Sequence, residues 1–140
     1  MNFLLDTNIV SEWVKPRPDP GVIRWLAEAD EDRVFLSVIS LAELRFGTER
    51  MPAGARRVRL EEWLRNELPV RFEDRVLALT ANIAQSWGEL MAHSRAAGHT
   101  MSVMDGFLAA TADVHQLTLV TRNAKDFSVL GAAVLNPWTA

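Results

Sequence analysis

The sequence predicts an α/β fold with a mostly parallel five-stranded sheet flanked by helices. Short apolar segments alternate with segments whose apolar residues recur at helical spacing, as in strands joined by crossover helices. The apolar segments are continuous, which is typical of strands covered on both faces. The predicted strands are residues 3–5, 34–37, 76–79, 117–121 and 133–135.

Helix signals lie between these strands. The first helix is expected directly after residue 5, with Asp6 or Thr7 as its cap. Asp19-Pro20 is typical of the start of a second helix. A third is expected over about residues 40–50, before the helix-breaking segment Met51-Pro52-Ala53-Gly54. Apolar spacing predicts further helices around residues 60–68, 83–94 and 102–115.

Size and composition favour one globular domain over residues 1–140, with 49% hydrophobic and 24% charged residues. No apolar stretch reaches the roughly 20 residues of a membrane span, so no membrane partner is expected. The N-terminus lacks a basic region and a cleavage pattern, which argues against secretion. The chain has no cysteine, which excludes disulfides and thiolate metal sites and fits a cytoplasmic location.

The charge balance argues mildly against non-specific nucleic-acid binding, because the formal net charge is −3. Arginines do cluster locally, at Arg45, Arg50, Arg56, Arg57 and Arg59. Acidic neighbours dilute this cluster, so a solvated helix face with ion pairs is the simpler interpretation of most of it.

Oxygen-bearing side chains recur where the predicted strands end. Asp6 follows the first strand, Glu43 lies one turn into the helix that leaves the second, and Asn123 follows the fourth. Asp105 lies near the start of the helix that feeds the fourth strand. All four are therefore expected at the carboxyl edge of the sheet, where α/β proteins bind ligands. Three carboxylates there would repel one another unless a hard cation such as Mg²⁺ or Mn²⁺ neutralised them.

Helix capping is the better explanation of each acid taken alone, and only the coincidence of all three at one edge favours a metal site. Ser40 and Glu43 have the spacing of a capping box, Ser102 and Asp105 have the same spacing, and Asp6 suits an N-cap. Spacing alone leaves capping and a metal site about even. Two consecutive helices, around residues 83–94 and 102–115, precede the fourth strand. They cannot both run from the carboxyl edge of the sheet to its amino edge, so one must run in the opposite direction or cross the sheet.

Longer motifs favour the metal site. They are LLDTNIVSE at 4–12, KPRPDP at 15–20, LSVISLAELRFG at 36–47, MSVMDGFLAATADVHQLTLVTRN at 101–123, DF at 126–127 and NPW at 136–138. With these segments in this order over nearly the whole chain, the sequence resembles PIN-domain ribonucleases of the VapC toxin type, from VapBC toxin–antitoxin pairs.

This resemblance implies a single PIN domain and a Mg²⁺-dependent endoribonuclease, with Mn²⁺ as a substitute. Asp6, Glu43 and Asp105 would be the catalytic, metal-binding acids, and a metal-activated water would cut RNA to leave 5′-phosphate and 3′-hydroxyl ends. The partners implied are the RNA substrate and a cognate antitoxin protein that silences the enzyme.

Further residues have supporting roles in this interpretation. Candidates for hydrogen bonds around the metal-binding acids are Thr7, Asn8, Thr121 and Asn123. A plain turn or capping role explains each of the first three equally well. The family often has a fourth acid where this chain has Asn123, which puts a second tightly held metal ion in doubt. Asp126 lies close enough in sequence to compensate, although a structural role before Phe127 suits it better.

The distribution of charge indicates which residues could contact RNA and how the protein could assemble. Candidate contacts to the RNA backbone are Arg45, Arg50, Lys15 and Arg17. Because the chain is acidic, we expect a homodimer to build the RNA groove and a basic antitoxin to join it in a toxin–antitoxin hetero-oligomer.

Two other functions remain open from the sequence. A PIN-fold interaction protein with weakened catalysis would explain Asn123. An aspartate-dependent phosphatase would use Asp6, but it requires a second acid at position 8, where this chain has Asn8. Trp13 and Trp138 are the tryptophans least committed to predicted helix stripes, and they suit a groove for a partner helix.

Overall fold

The computed structural model describes residues 1–139. The strands are β1 (Phe3–Leu5), β2 (Val34–Ser37), β3 (Val76–Leu77), β4 (Thr118–Val120) and β5 (Val134–Leu135). The helices are α1 (Thr7–Trp13), α2 (Pro20–Glu28), α3 (Val38–Glu49), α4 (Ala55–Glu62), α5 (Leu68–Phe72), α6 (Ala81–Ala96), α7 (Val103–His115) and α8 (Ala124–Ser128). A π-helical segment, Trp63–Glu67, joins α4 to α5.

All five strands are parallel and lie in the order β3-β2-β1-β4-β5. The chain moves outward from β1 in one direction through β2 and β3, and then returns to the other side of β1 for β4 and β5. The strand order therefore reverses between β1 and β4. In open α/β sheets this reversal opens a crevice at the carboxyl ends of the strands, and ligands bind there.

The sheet is buried on both faces, as its continuous apolar strands predict. Successive side chains of β1 point to opposite faces. Leu5 joins a cluster with Ile9 and Phe72, whereas Leu4 joins a second cluster with Leu108 and Phe127. Each cluster ties one layer of helices to the sheet, and together they hold β1 rigidly at its centre.

The helices α6 and α7 form an antiparallel pair. The Ser86 hydroxyl donates to the Asp113 carboxylate at 3.0 Å, while Met91 lies against Gly106. Residues later in α6 therefore face residues earlier in α7. The helix α7 starts at the carboxyl edge of the sheet and runs away from it towards the start of β4. Because α6 is antiparallel to α7, α6 runs towards the carboxyl edge. The two helices before β4 therefore run in opposite directions, as the sequence required.

Gly106 allows this pair to pack closely. A Cβ atom at this position would lie 2.6 Å from Met91 Sδ and 2.8 Å from Trp87 Nε1. Beside this contact, the indole of Trp87 stacks on the phenyl ring of Phe107, with the ring centroids 5.0 Å apart. The glycine thus places the first turn of α7, which carries Asp105, at a fixed position.

Three local predictions need correction. The helix α3 starts at Val38, with the Ser37 hydroxyl accepting from the Ile39 N–H at 3.0 Å, so Ser40 does not cap it and the capping box with Glu43 is wrong. The strand β3 ends at Leu77, two residues early. The short helix α8 was not predicted.

The cap of α7 is confirmed, because the Ser102 hydroxyl accepts from the Asp105 N–H at 3.1 Å. Within residues 1–139, no helix has the length and apolar character needed to cross a membrane.

Candidate active site

Asp6 lies at the carboxyl end of β1, beside the strand-order reversal. Its side chain is 5% exposed and caps α1, with Oδ1 accepting from the Thr7 N–H at 2.6 Å. Its Oδ2 accepts from the Thr121 hydroxyl at 2.7 Å, across the end of β4. Both carboxylate oxygens are held in place, and each keeps a lone pair for another partner.

The surroundings of Asp6 disfavour its negative charge. Burial raises its pKa from the ordinary 3.8 to about 6, and the charges of Asp105 and Glu43 push in the same direction. The hydrogen bonds from Thr121 and Thr7 oppose this rise without cancelling it. A buried acid among other acids is an unfavourable arrangement that a bound cation would relieve.

Thr7 connects Asp6 to Glu43. The Thr7 hydroxyl donates to Glu43 Oε1 at 2.6 Å and lies 3.0 Å from the buried Ser40 hydroxyl. Since the Thr7 hydroxyl carries one proton, Ser40 is the donor in the second contact. Glu43 is therefore oriented by α1 instead of capping its own helix.

Asp105 approaches from the first turn of α7. Burial raises its pKa above the ordinary value, and the nearby Asp126 carboxylate adds to the increase, while the contact with Ser102 lowers it. Asp126 itself is exposed on α8. It acts on Asp105 through its charge.

These acids share an open cleft of about 370 Å³. We call it the acidic cleft and define it by its lining residues: Asp6, Thr7, Asn8, Ser11, Glu12, Lys15, Glu43, Asp105, Arg122, Asn123 and Trp138. The structure thus brings together the three acids and three of the polar residues that the sequence singled out, Thr7, Asn8 and Asn123. Thr121 lies beneath it, fully buried, and its contact is with Asp6.

The donor set of the cleft suits a hard divalent cation, because its acids offer carboxylate oxygens and no histidine or sulfur. Among residues 1–139, none of the acids Asp6, Glu43 and Asp105 takes part in an ion pair that would already neutralise it. In their present orientations, no three acidic or histidine side chains of this part of the chain enclose a single ion position. The residues therefore fit a cation by the chemistry of their oxygen donors and by their shared location in the cleft.

Asn8 and Asn123 each take part in a hydrogen bond between a backbone N–H and a side chain at the edge of the cleft. Asn8 Oδ1 accepts from the Arg122 N–H at 3.4 Å, and the Asn123 N–H donates to the Thr121 hydroxyl at 3.0 Å. The Thr121 hydroxyl therefore accepts from one side and donates to Asp6 on the other. These contacts tie the end of β4 to the first turn of α1.

The basic candidates separate into two groups. Lys15 lines the cleft, where its Nζ lies 2.8 Å from the buried Glu12 carboxylate. Arg17 is exposed on the loop that follows. Arg45 pairs with Glu49 at 2.8 Å on α3, outside the cleft. Arg50 likewise lies outside it, with its guanidinium over the ring of Phe46.

Sequence reasoning placed three prominent residues of the cleft, Arg122, Trp138 and Glu12, outside the predicted site. Arg122 and Trp138 both line the cleft, with the guanidinium 5.3 Å from the indole centroid. The Thr-Arg-Asn setting at the end of β4 was a usable signal for Arg122. Trp138 was proposed from the sequence only for a partner-helix groove, because its place in the cleft depends on how residues 136–139 pack. Glu12 was not singled out at all.

Comparison with known proteins gives a consistent result. The PIN domain family model matches residues 3–132. The chain is 37% identical over 136 residues to the VapC ribonuclease Y4jK of Sinorhizobium fredii, covering 97% of both chains. It is 35% identical over 136 residues to the toxin FitB of Neisseria gonorrhoeae, covering 97% of this chain and 98% of FitB.

A solved structure agrees with these relatives. The crystal structure of FitAcB from Neisseria gonorrhoeae superposes with a TM-score of 0.92 at 34% identity, covering 99% of each chain. The similarity of fold therefore extends over nearly the whole chain.

Proposed function

The chain belongs to the PIN-domain family, in its VapC toxin type, and from that premise we propose that it is a metal-dependent endoribonuclease, the toxin of a toxin–antitoxin pair. The sequence predicted both the fold and this function. The observation that carries the proposal for the site is the acidic cleft, where Asp6, Glu43 and Asp105 converge without a neutralising ion pair within residues 1–139.

Mg²⁺ is the cofactor we propose, with Mn²⁺ as a substitute, held by Asp6, Glu43 and Asp105. A divalent cation in such a site supplies a water of lowered pKa and positive charge beside a phosphoryl oxygen. The hydrogen bonds to Asp6 from Thr121 and Thr7 hold its oxygens at the sheet edge, and the Thr7 hydroxyl holds Glu43 beside it. This preorganisation reduces the cost of gathering the acids.

The protein contributes more than the three acids to this chemistry. Lys15 and Arg122 place positive charge on the rim of the cleft, where an RNA backbone would pass. Asn123 offers an uncharged oxygen at the position where the family resemblance implies a fourth acid. With the hydrolysis proposed here, the products carry 5′-phosphate and 3′-hydroxyl ends.

The assembly is proposed on the same basis. A cognate antitoxin protein is the partner that silences the enzyme, and a homodimer extends the RNA groove beyond one acidic chain. The cytoplasm, where RNA substrates occur and where proteins fold without disulfides, is the proposed location.

Cleavage of a mixed small-RNA pool tests the proposal. Purified, partner-free protein is incubated with Mg²⁺ or with EDTA, beside the variants Asp105→Asn and Glu43→Gln. We expect discrete fragments that require the metal and both acids. The matched control is Glu49→Gln, which removes an exposed acid from the same helix as Glu43 and should cut normally.

Two results would overturn the proposal. Equal cutting by the wild type and both acid variants would assign the activity to a contaminant. Absence of cutting by the wild type across the pool, with no thermal stabilisation by Mg²⁺ or Mn²⁺, would favour an interaction protein that keeps the fold without catalysis.

A further inference from the structure

Arg122 lies on the rim of the acidic cleft, where both its backbone N–H and its backbone carbonyl form hydrogen bonds. Its N–H donates to Asn8 at 3.4 Å, and its carbonyl oxygen accepts from the Asn136 amide at 3.4 Å. One contact joins it to α1, beside Asp6, and the other to the segment after β5. The backbone of Arg122 is therefore held in place next to the acids.

Within residues 1–139, the guanidinium of Arg122 forms no ion pair. Of the two basic residues that line the acidic cleft, Lys15 is already paired with Glu12 at 2.8 Å, whereas Arg122 forms no ion pair in this part of the chain. Its side chain is exposed. An anion entering the cleft would therefore meet the Arg122 guanidinium as an available positive charge.

Trp138 supports that guanidinium. The guanidinium carbon lies 5.3 Å from the indole centroid, within the range of a cation–π contact. The indole is half-buried and packs against the core cluster that contains Leu5. The ring thus offers a firm platform, and the N–H edge of the guanidinium stays available for oxygen acceptors.

The segment that carries Trp138, residues 136–139, is itself anchored, and we call it the C-terminal strap. Thr139 donates through its N–H and its hydroxyl to Asp19 at 3.2 and 2.8 Å, at the start of α2. Gly21 permits this contact, because a Cβ atom there would lie 2.3 Å from the Pro137 carbonyl oxygen. The strap is therefore held in one position.

We propose that Arg122 is a substrate-binding residue that grips an RNA phosphate next to the scissile bond, and that Trp138 and the C-terminal strap position it. This inference rests on the proposed ribonuclease function and deepens it. A guanidinium presents paired N–H donors that match phosphate oxygens, and its planar face can also stack on an unpaired base. The acids would thus perform the hydrolysis, while Arg122 sets which phosphate reaches them.

The test combines steady-state cleavage with RNA binding by the full chain. For Arg122→Gln we expect KM to rise about tenfold or more with kcat little changed, as for the loss of a charge-assisted contact. Binding is followed by fluorescence anisotropy with a labelled single-stranded RNA, in an Asp105→Asn background that does not cut. The slope of log affinity against log salt should fall by about 0.7 to 1.

Variants at Trp138 test whether the indole positions the Arg122 guanidinium, because they leave the charge of Arg122 unchanged. Trp138→Leu should raise KM but leave the salt slope unchanged, because Arg122 keeps its charge, and Trp138→Phe should restore most of the affinity. The matched control is Arg71→Gln, which removes an arginine that also lies on a tryptophan, 4.4 Å from the Trp13 centroid, and pairs with Glu31. It should change neither KM nor the slope.

Each remaining outcome is decisive. If the wild type cuts RNA and Arg122→Gln keeps its KM and salt slope, the role of Arg122 is overturned while the ribonuclease stands. The same holds if Arg71→Gln and Arg122→Gln lose affinity equally. If the wild type cuts no RNA, the proposed function itself fails.

Discussion

The hydroxyl of Thr7 donates a 2.6 Å hydrogen bond to the carboxylate of Glu43, 36 residues further along the chain. This bond joins the first turn of α1 to α3. It couples the acid that follows β1 to the acid that follows β2, because the Thr7 N–H also donates to Asp6. One residue thus contacts two of the three acids, holding Glu43 through its side chain and Asp6 through its backbone N–H.

Replacing Thr7 with valine keeps the shape of the side chain and removes its proton. We expect Thr7→Val to lose about 1–3 kcal/mol of unfolding free energy, the usual cost of losing a hydrogen bond to a charged group. We also expect cleavage to slow about tenfold or more, because Glu43 is no longer held. Urea denaturation and single-turnover cleavage measure the two effects. Thr7→Ser keeps the hydroxyl and should resemble the wild type; equal losses in both variants would contradict the prediction.

The stability of the metal-free protein should fall as pH rises from about 4 to about 6. The pKa of Asp6 is about 6 in the folded state against an ordinary 3.8. The folded state therefore binds more protons across this window, and stability present below pH 4 is lost as Asp6 ionises. The loss above pH 6 is about 3 kcal/mol. Denaturation in EDTA at a series of pH values measures it.

Asp6→Asn should abolish most of this pH dependence and make the metal-free protein more stable than the wild type at pH 7.5. The exposed acid Asp32 is the control, and Asp32→Asn should keep the wild-type profile. A wild-type protein whose stability rises with pH between 4 and 6 would show that another group dominates the titration.

A divalent cation should stabilise the protein through the same acids. At a Mg²⁺ or Mn²⁺ concentration about 100 times its Kd, binding adds about 2.7 kcal/mol, which corresponds to a Tm increase of roughly 8 °C for a domain of this size. Asp6→Asn and Asp105→Asn should remove the increase, and Glu49→Gln should retain it. Thermal melting with each metal and with EDTA is the measurement. An increase that survives both acid substitutions would indicate non-specific ion binding.

Two glycines on the paired helices α6 and α7 should respond oppositely to alanine. At Gly106 the added Cβ would lie 2.6 Å from Met91 Sδ, so we expect Gly106→Ala to destabilise the fold by about 1–3 kcal/mol and displace Asp105. At Gly88 nothing lies within 4 Å of the added atom, and Gly88→Ala should stabilise α6 by roughly 0.5–1 kcal/mol. Denaturation of both variants decides this; a neutral Gly106→Ala would show that the side chains of α6 move aside freely.

The strands were predictable because each is a short apolar segment that must be covered on both faces. The boundaries of β1 and β2 agree with prediction, and those of the other strands lie within two residues. The start of α3 was harder, since Ser37 and Ser40 are both good caps in sequence. The pairing of Ser37 with Leu77 keeps that residue in the sheet until the helix begins, and such pairing is not visible locally.

The acids were predictable and their basic companions were not. The acids follow strand ends, so parallel topology alone brings Asp6 and Glu43 to one edge. The arginines that attract attention in sequence lie in a helical region and include residues paired with nearby acids, as Arg45 is with Glu49. Arg122 stands alone in sequence, and it meets Trp138 only because β4 and β5 are neighbours in the sheet.

The hydrogen bond between Asp6 and Thr121 spans 115 residues, and this separation has a consequence for the cell that makes the protein. Thr121, whose hydroxyl anchors the Asp6 carboxylate, is translated 115 residues after Asp6. A nascent chain that has not yet reached Thr121 therefore lacks part of the site, and we expect it to cut no RNA. Cleavage should begin only after β4 has been made and has paired with β1.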